Sequence, residues 1–262
     1  MIAIAYLVLA AATADPLGEA AKALTAGRDI QAGMLIATAR INGATGEPVD
    51  RLTADHALAS GNLGRALFLY AGLLVAHPDE ALLLERAGEA ALRLGDEAGA
   101  TAFLDRSTRQ PNAGWHAWSL AGIAADRRGD FDAADAAYAH AERLAPNQAT
   151  VADNHGWSLM LRGRWAEAAD AFRSALLLDP AVLHGAANLE LARAALAADL
   201  PAKAPAETDN AFAARLNDAG VVAIVQGDRP RAIAAFSRAI AAHSNWFALA
   251  AHNLDLAEHA AP

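Results

Sequence analysis

Residues 115–180 carry one pattern written twice, and this repetition narrows the available folds more than any other feature. With a shift of 34 residues, Gly122 falls on Gly156, Gly129 on Gly163, Phe131 on Trp165 and Ala134 on Ala168. Tyr138 falls on Phe172, Ala141 on Ala175 and Pro146 on Pro180 in the same register. A fixed period of this length belongs to stacked repeats, in which each unit buries its apolar face only against its neighbours.

Each landmark has a physical task. Apolar residues recur at helical spacing before Gly129-Asp130 and Gly163-Arg164, and a second helical pattern begins after them. The glycine ends the first helix because it tolerates the left-handed conformation, and Phe131 or Trp165 opens the second. Gly122 and Gly156 fall inside first helices, where glycine costs about 1 kcal/mol relative to alanine. That cost points to a close helix contact, with Ala134 and Ala168 as the expected small partners. Pro146 and Pro180 are expected to close each unit and start the next helix.

The ladder runs further. Gly61, Gly95, Gly129 and Gly163 are each 34 apart, as are Ala66, Ala100, Ala134 and Ala168, while Tyr70, Leu104, Tyr138 and Phe172 hold the large apolar place. The 81–114 unit is weaker, with Glu97 and Ser107 where its neighbours carry apolar or small residues. This helix–turn–helix unit, with its Gly, Ala, aromatic, Ala and Pro landmarks, resembles the tetratricopeptide repeat. The resemblance implies an all-α fold: a right-handed superhelical α-solenoid of stacked hairpins, about fourteen helices in all. Residues 15–46 read as a degenerate N-terminal repeat, 47–199 as the repeat array and 200–207 as a Pro-rich linker, the most protease-sensitive internal segment. Residues 208–262 read as a C-terminal repeat with a capping helix over 245–259. There Gly220, Gly227, Ala232, Phe236 and Ala239 resume the pattern 64 residues after their partners, so one second helix has given way to the linker.

Residues 2–12, IAIAYLVLAAA, form an uncharged apolar run followed by Ala12-Thr13-Ala14, with small residues at both recognition positions of a signal peptidase. Residues 1–14 therefore read as a signal peptide, placing the mature chain outside the cytoplasm, in the periplasm. No Lys or Arg precedes the run, which leaves the alternative of a buried first helix in a cytoplasmic protein. The run is too short to span a bilayer, which takes about 20 residues. The net charge of −9 is spread along the chain and argues against a nucleic-acid partner, which calls for a basic stripe. With no cysteine among 262 residues, disulfides, thiolate catalysis, zinc–cysteine sites and a lipidated N-terminal cysteine are excluded.

No nucleophile–base pair, phosphate loop or metal spacing stands out, and the nine histidines form no zinc motif, so the chain reads as non-enzymatic and without a cofactor. The resemblance implies instead a concave groove lined by first helices, binding a peptide or helix of a partner protein. The groove candidates flank the mid-helix glycines: Arg86, Ser119, Asp153, Asn154, Trp157, Asn188 and Asn217. An amide offers both donor and acceptor to a peptide backbone, but it can equally bond a neighbouring helix and hold the register of the stack. Trp157 suits an anchor, since aromatics dominate interface hot spots. AsnHisGlyTrpSerLeu at 154–159, LeuLeuLeuAspPro at 176–180, AlaAlaAsnLeuGluLeuAla at 186–192 and LeuAsnAspAlaGlyValVal at 216–222 are similar to exported bacterial tetratricopeptide proteins, including the repeat protein of the Flp (tight adherence) pilus system. That resemblance implies a scaffold of the bacterial envelope; a cytoplasmic chaperone or adaptor is the alternative.

Overall fold

The computed structural model describes residues 15–196, 200–245 and 247–259. The apolar run at 1–14 lies outside them, as do residues 197–199, Trp246 and the last three residues. The described residues are all-helical, with fourteen helices and no strand among them. They divide into two compact units at Ala124/Ala125, inside α7 (Trp115–Arg127).

In the first unit, α1 (Pro16–Thr25) pairs with α2 (Asp29–Ile41), α3 (Glu47–Ala59) with α4 (Leu63–Ala76), and α5 (Ala81–Leu94) with α6 (Glu97–Thr108). In the second, α8 (Phe131–Leu144) packs on α9 (Ala149–Leu161), which pairs with α10 (Trp165–Leu178). Next come α11 (Gly185–Leu196), the 200–207 segment, the α12 (Asp209–Val225) and α13 (Arg229–Ala242) hairpin, and α14 (Ala248–His259). α11 packs against both α10 and α12, so two first-type helices lie side by side where a second helix is missing.

A Gly-Asp step makes three of the hairpin turns. Gly129 adopts φ +72° and Asp130 then caps α8, its carboxylate accepting from the Ala133 amide at 3.2 Å. Gly95-Asp96 and Gly227-Asp228 repeat the device, with Asp96 accepting from Gly99 at 2.9 Å and Asp228 from Arg231 at 3.1 Å. The core follows the ladder. Ala66, Ala100, Ala134, Ala168 and Ala232 are fully buried, and so, to within 1%, are Tyr70, Leu104, Tyr138, Phe172 and Phe236. Ala32 and Ile36 hold the same places in α2, so the N-terminal unit begins with a complete hairpin.

Two expectations need correction. The atoms nearest a Cβ built at Gly156 are those of the Phe172 ring, at 2.5–3.0 Å, not Ala168. The glycine makes room for the large side chain of its own hairpin: Gly220 faces Phe236 and Gly88 faces Leu104 in the same way. Pro146 and Pro180 do not start helices; like Pro78 they lie in the turns before α9, α11 and α5. The prolines that do sit in first helical turns are Pro16, Pro48 and Pro230. Ser107 of the weaker unit is fully buried where later repeats carry Ala141, Ala175 and Ala239, and its hydroxyl donates to the Ala81 carbonyl at 2.8 Å. A buried hydroxyl with a partner costs little, which is why the substitution leaves the hairpin intact.

Candidate functional site

The first helices carry the candidate residues, and their burial sorts them into two groups. Ser119, Asp153, Asn188 and Asn217 are buried, none more than 8% exposed. Arg86 and Asn154 are half-buried, and Trp157 is open to solvent over 40% of its surface.

Asp153, Asn188 and Asn217 of the buried group work between helices. The Asn188 amide on α11 donates to both carboxylate oxygens of Asp153 on α9, at 2.9 and 3.1 Å. The Asn253 amide on α14 donates to Asn217 Oδ1 on α12 at 2.9 Å. Ser158 of α9 donates to Asp126 at 2.6 Å, and Tyr138 donates to the other oxygen of that carboxylate at 2.9 Å. In the first unit, Glu85 is buried and lies 2.8 Å from His116 Nδ1. Neighbouring first helices are thus joined by polar contacts, which restrain how far one can slide along the next. Of the two uses open to an amide here, Asn188 and Asn217 make the helix-to-helix one. Burial pushes the Asp153 carboxyl above its ordinary value, opposed by the Asn188 hydrogen bond. Asp126 is raised for the same first reason, with Ser158 and Tyr138 pulling the other way.

Trp157 belongs to a row of exposed apolar residues. Trp157 lies one turn beyond Asp153 on the same face of α9. Its ring meets Phe172 edge to face, centroids 6.0 Å apart, so the core residue beside Gly156 also supports the exposed indole. Leu161, one further turn along α9, is exposed too. Shifting both by 64 residues gives Val221 and Val225 of α12, again exposed. There they join Ile224, Asn253 and Leu256 around a shallow hollow of about 280 Å³, floored by Phe236 and Ala257. Sequence reasoning stopped at the residues before the glycine in α12 and missed this hollow. The signal was present, since Val221 occupies the register of Trp157.

In the first unit, Arg86 lines a separate hollow of about 300 Å³ with Leu24, Leu52, Asp55, Glu89 and Arg93. Arg86 donates to Glu89 at 3.3 Å, and Arg93 donates to the Leu58 carbonyl at 3.2 Å. Tyr70 reaches the same place, donating to Asp55 at 2.6 Å, and burial with that carboxylate raises its phenol. The charges in this hollow are balanced, so it offers hydrogen bonds rather than a net field. Among the described residues, no helix is long and apolar enough to cross a membrane.

Helical hairpins on a 34-residue period, with glycine opposite the large residue of the second helix, define the fold as that of tetratricopeptide-repeat proteins. No family model matches the sequence, and no curated protein matches it either. Solved structures do. A thermophilic tetratricopeptide protein of Thermus thermophilus aligns over 68% of this chain and 97% of its own, with 20% identity and a TM-score of 0.60. A tetratricopeptide repeat protein of Parabacteroides merdae aligns over 93% and 98%, with 14% identity and a TM-score of 0.56. PilW, a type IV pilus biogenesis factor, aligns over 86% and 91%, with 17% identity and a TM-score of 0.56. At these identities the likeness is one of fold.

Proposed function

We propose that the chain is a non-enzymatic scaffold that holds a peptide or helix of a partner protein against the exposed faces of its first helices. Trp157 is the principal anchor, and Leu161, Val221, Val225 and Leu256 extend the exposed apolar row in the second unit. The observation that carries this reading is the exposure of an indole already held in place from beneath by Phe172. A rigid, half-presented aromatic gives up little conformational freedom when a partner covers it, which is the usual character of a hot spot. Asn154, half-buried three residues before Trp157 on α9, supplies a polar contact at the margin, and Arg86 offers a separate polar contact in the first unit.

Trp157→Ala is expected to weaken partner binding by about 2 kcal/mol, roughly 30-fold, while the helical circular-dichroism signal stays at the wild-type level. The partner is first captured by co-purification from the native host, and its affinity is then measured alongside melting for wild type and variant. A lowered melting temperature with unchanged affinity of the folded fraction would end the role assigned to Trp157.

The setting we infer is the bacterial envelope, with export directed by residues 1–14 and a role in assembling a pilus or secretion machine. Supporting it are the apolar run ending in Ala12-Thr13-Ala14 and a fold shared with a pilus biogenesis factor. N-terminal sequencing of the protein from its native host is expected to begin near Asp15. A chain retaining Met1 in the soluble cytoplasmic fraction would favour the cytoplasmic adaptor, for which the missing basic residue before the run already speaks.

A further inference from the structure

The outer faces of α2 and α4 differ from those of the other second helices. Ile30, Met34, Ala37 and Ile41 on α2 are all exposed, spaced four, three and four residues apart. Adding 34 to each number gives Gly64, Phe68, Ala71 and Val75 on α4, which are also exposed. The five large side chains among these are 67–85% exposed, a degree for which the core of their own unit gives no reason. At matching places α8 carries Asp132 and Arg143, and α10 carries Asp170 and Arg173 with a single exposed large apolar side chain, Leu177, so charged residues interrupt both faces.

Four-three-four spacing is the seam of a coiled coil; on α4 the large Phe68 and Val75 hold one core position and the small Gly64 and Ala71 the other, while on α2 Ala37 shares its position with Ile30. Gly72, beside Ala71 inside α4, adds to this. Glycine there costs about 1 kcal/mol relative to alanine, yet nothing in its own chain lies within 4 Å of where its Cβ would be. Unlike Gly88, Gly156 and Gly220, it makes room for nothing in its own chain. Across both helices Asp29 is the one carboxylate, in a chain whose net charge is −9. This is where two copies of an acidic protein can meet without opposing rows of like charge.

We propose that this face is the contact surface of a homodimer, in which α2 and α4 of one copy pack against the same helices of a second. The spacing suits a self-complementary, two-fold contact, in which Phe68 and Val75 on α4 of one copy lie over Gly64 and Ala71 of the other. Covering the five large side chains and the alanines between them removes on the order of 700 Å² per copy, close to the roughly 800 Å² that each partner contributes to a standard specific interface.

The test uses the full chain. Sedimentation from micromolar upwards is expected to show a concentration-dependent dimer, and Met34→Glu with Phe68→Glu to leave a monomer with unchanged circular dichroism. Because the chain has no cysteine, single thiols report burial directly. An Ala71→Cys thiol should react with a maleimide several-fold more slowly at high protein concentration than on dilution, whereas Ala136→Cys on α8 should react alike at both. A monomer at every concentration overturns the proposal, as does a dimer indifferent to the two glutamates or an Ala71→Cys rate independent of concentration. A wild-type monomer that co-sediments with neutral phosphatidylcholine vesicles, and loses this with the glutamates, would overturn it too and assign the face to a lipid surface.

Discussion

A methyl group at Gly156 would stand 2.5 Å from Phe172 Cε1, a separation that packed carbons do not tolerate. The ring is flanked by Trp157 and has little room to yield. Gly156→Ala gains about 1 kcal/mol of helix propensity but overpacks the hairpin by about 1–3 kcal/mol. A net loss of stability is therefore expected, visible as an earlier urea midpoint, and a midpoint later than wild type would show that the ring shifts freely. Asp153 makes a second prediction at this scale. Burial raises its carboxyl, so the folded chain accepts the ionised form less readily than the unfolded chain does. The stability this group contributes is present in full below the unfolded value near about 4, and is lost as pH rises through the raised folded value. Asp153→Asn removes that loss and leaves an amide facing Asn188, a pairing the protein already uses between Asn217 and Asn253. The melting temperature of the variant relative to wild type is expected to climb as pH rises above about 4. A difference that stays flat or falls would contradict the burial account.

At the scale of elements, the missing second helix after α11 is replaced by a tethered segment. Arg215 of α12 donates to Glu207 at 2.7 and 2.8 Å and to the Ala202 carbonyl at 2.9 Å, and Glu207 also accepts from the Ala204 amide at 3.0 Å. The guanidinium holds the Glu207 carboxyl below its usual range. Gln226 and Arg231 reach back from the next hairpin to the Ala195 and Ala194 carbonyls near the end of α11. Residues 200–207 remain the expected first site of internal cleavage, because prolines deny them helical hydrogen bonds. The tether slows that cleavage, so Arg215→Ala should accelerate cutting there several-fold under a broad-specificity protease while α3–α6 stay intact. Equal rates in variant and wild type would mean that the ion pair does not restrain the segment. The Pro-rich composition announced the break; it could not announce the arginine, which sits eight residues past Glu207 and meets it only because α12 has formed.

For the whole molecule, the period of 34 residues determined the class of fold, the number of helices and the residues of the core. Those follow from nearest-neighbour packing, in which every hairpin repeats one set of contacts and small, large and turn residues recur at fixed intervals. Tyr70, Tyr138 and Phe172 were legible as core for that reason, and Gly129 and Gly163 as turns. The use of the polar positions was decided by tertiary structure. A polar residue on a first helix breaks the apolar pattern in the same way whether it faces a groove or a neighbouring helix. Asp153 and Trp157 lie one turn apart on the same face, yet one is covered by α11 and the other is open. The exposure of Ile30, Met34 and Phe68 was hidden for the converse reason. An apolar residue on a second helix reads as core until the folded hairpin shows which side of the helix its own partners occupy.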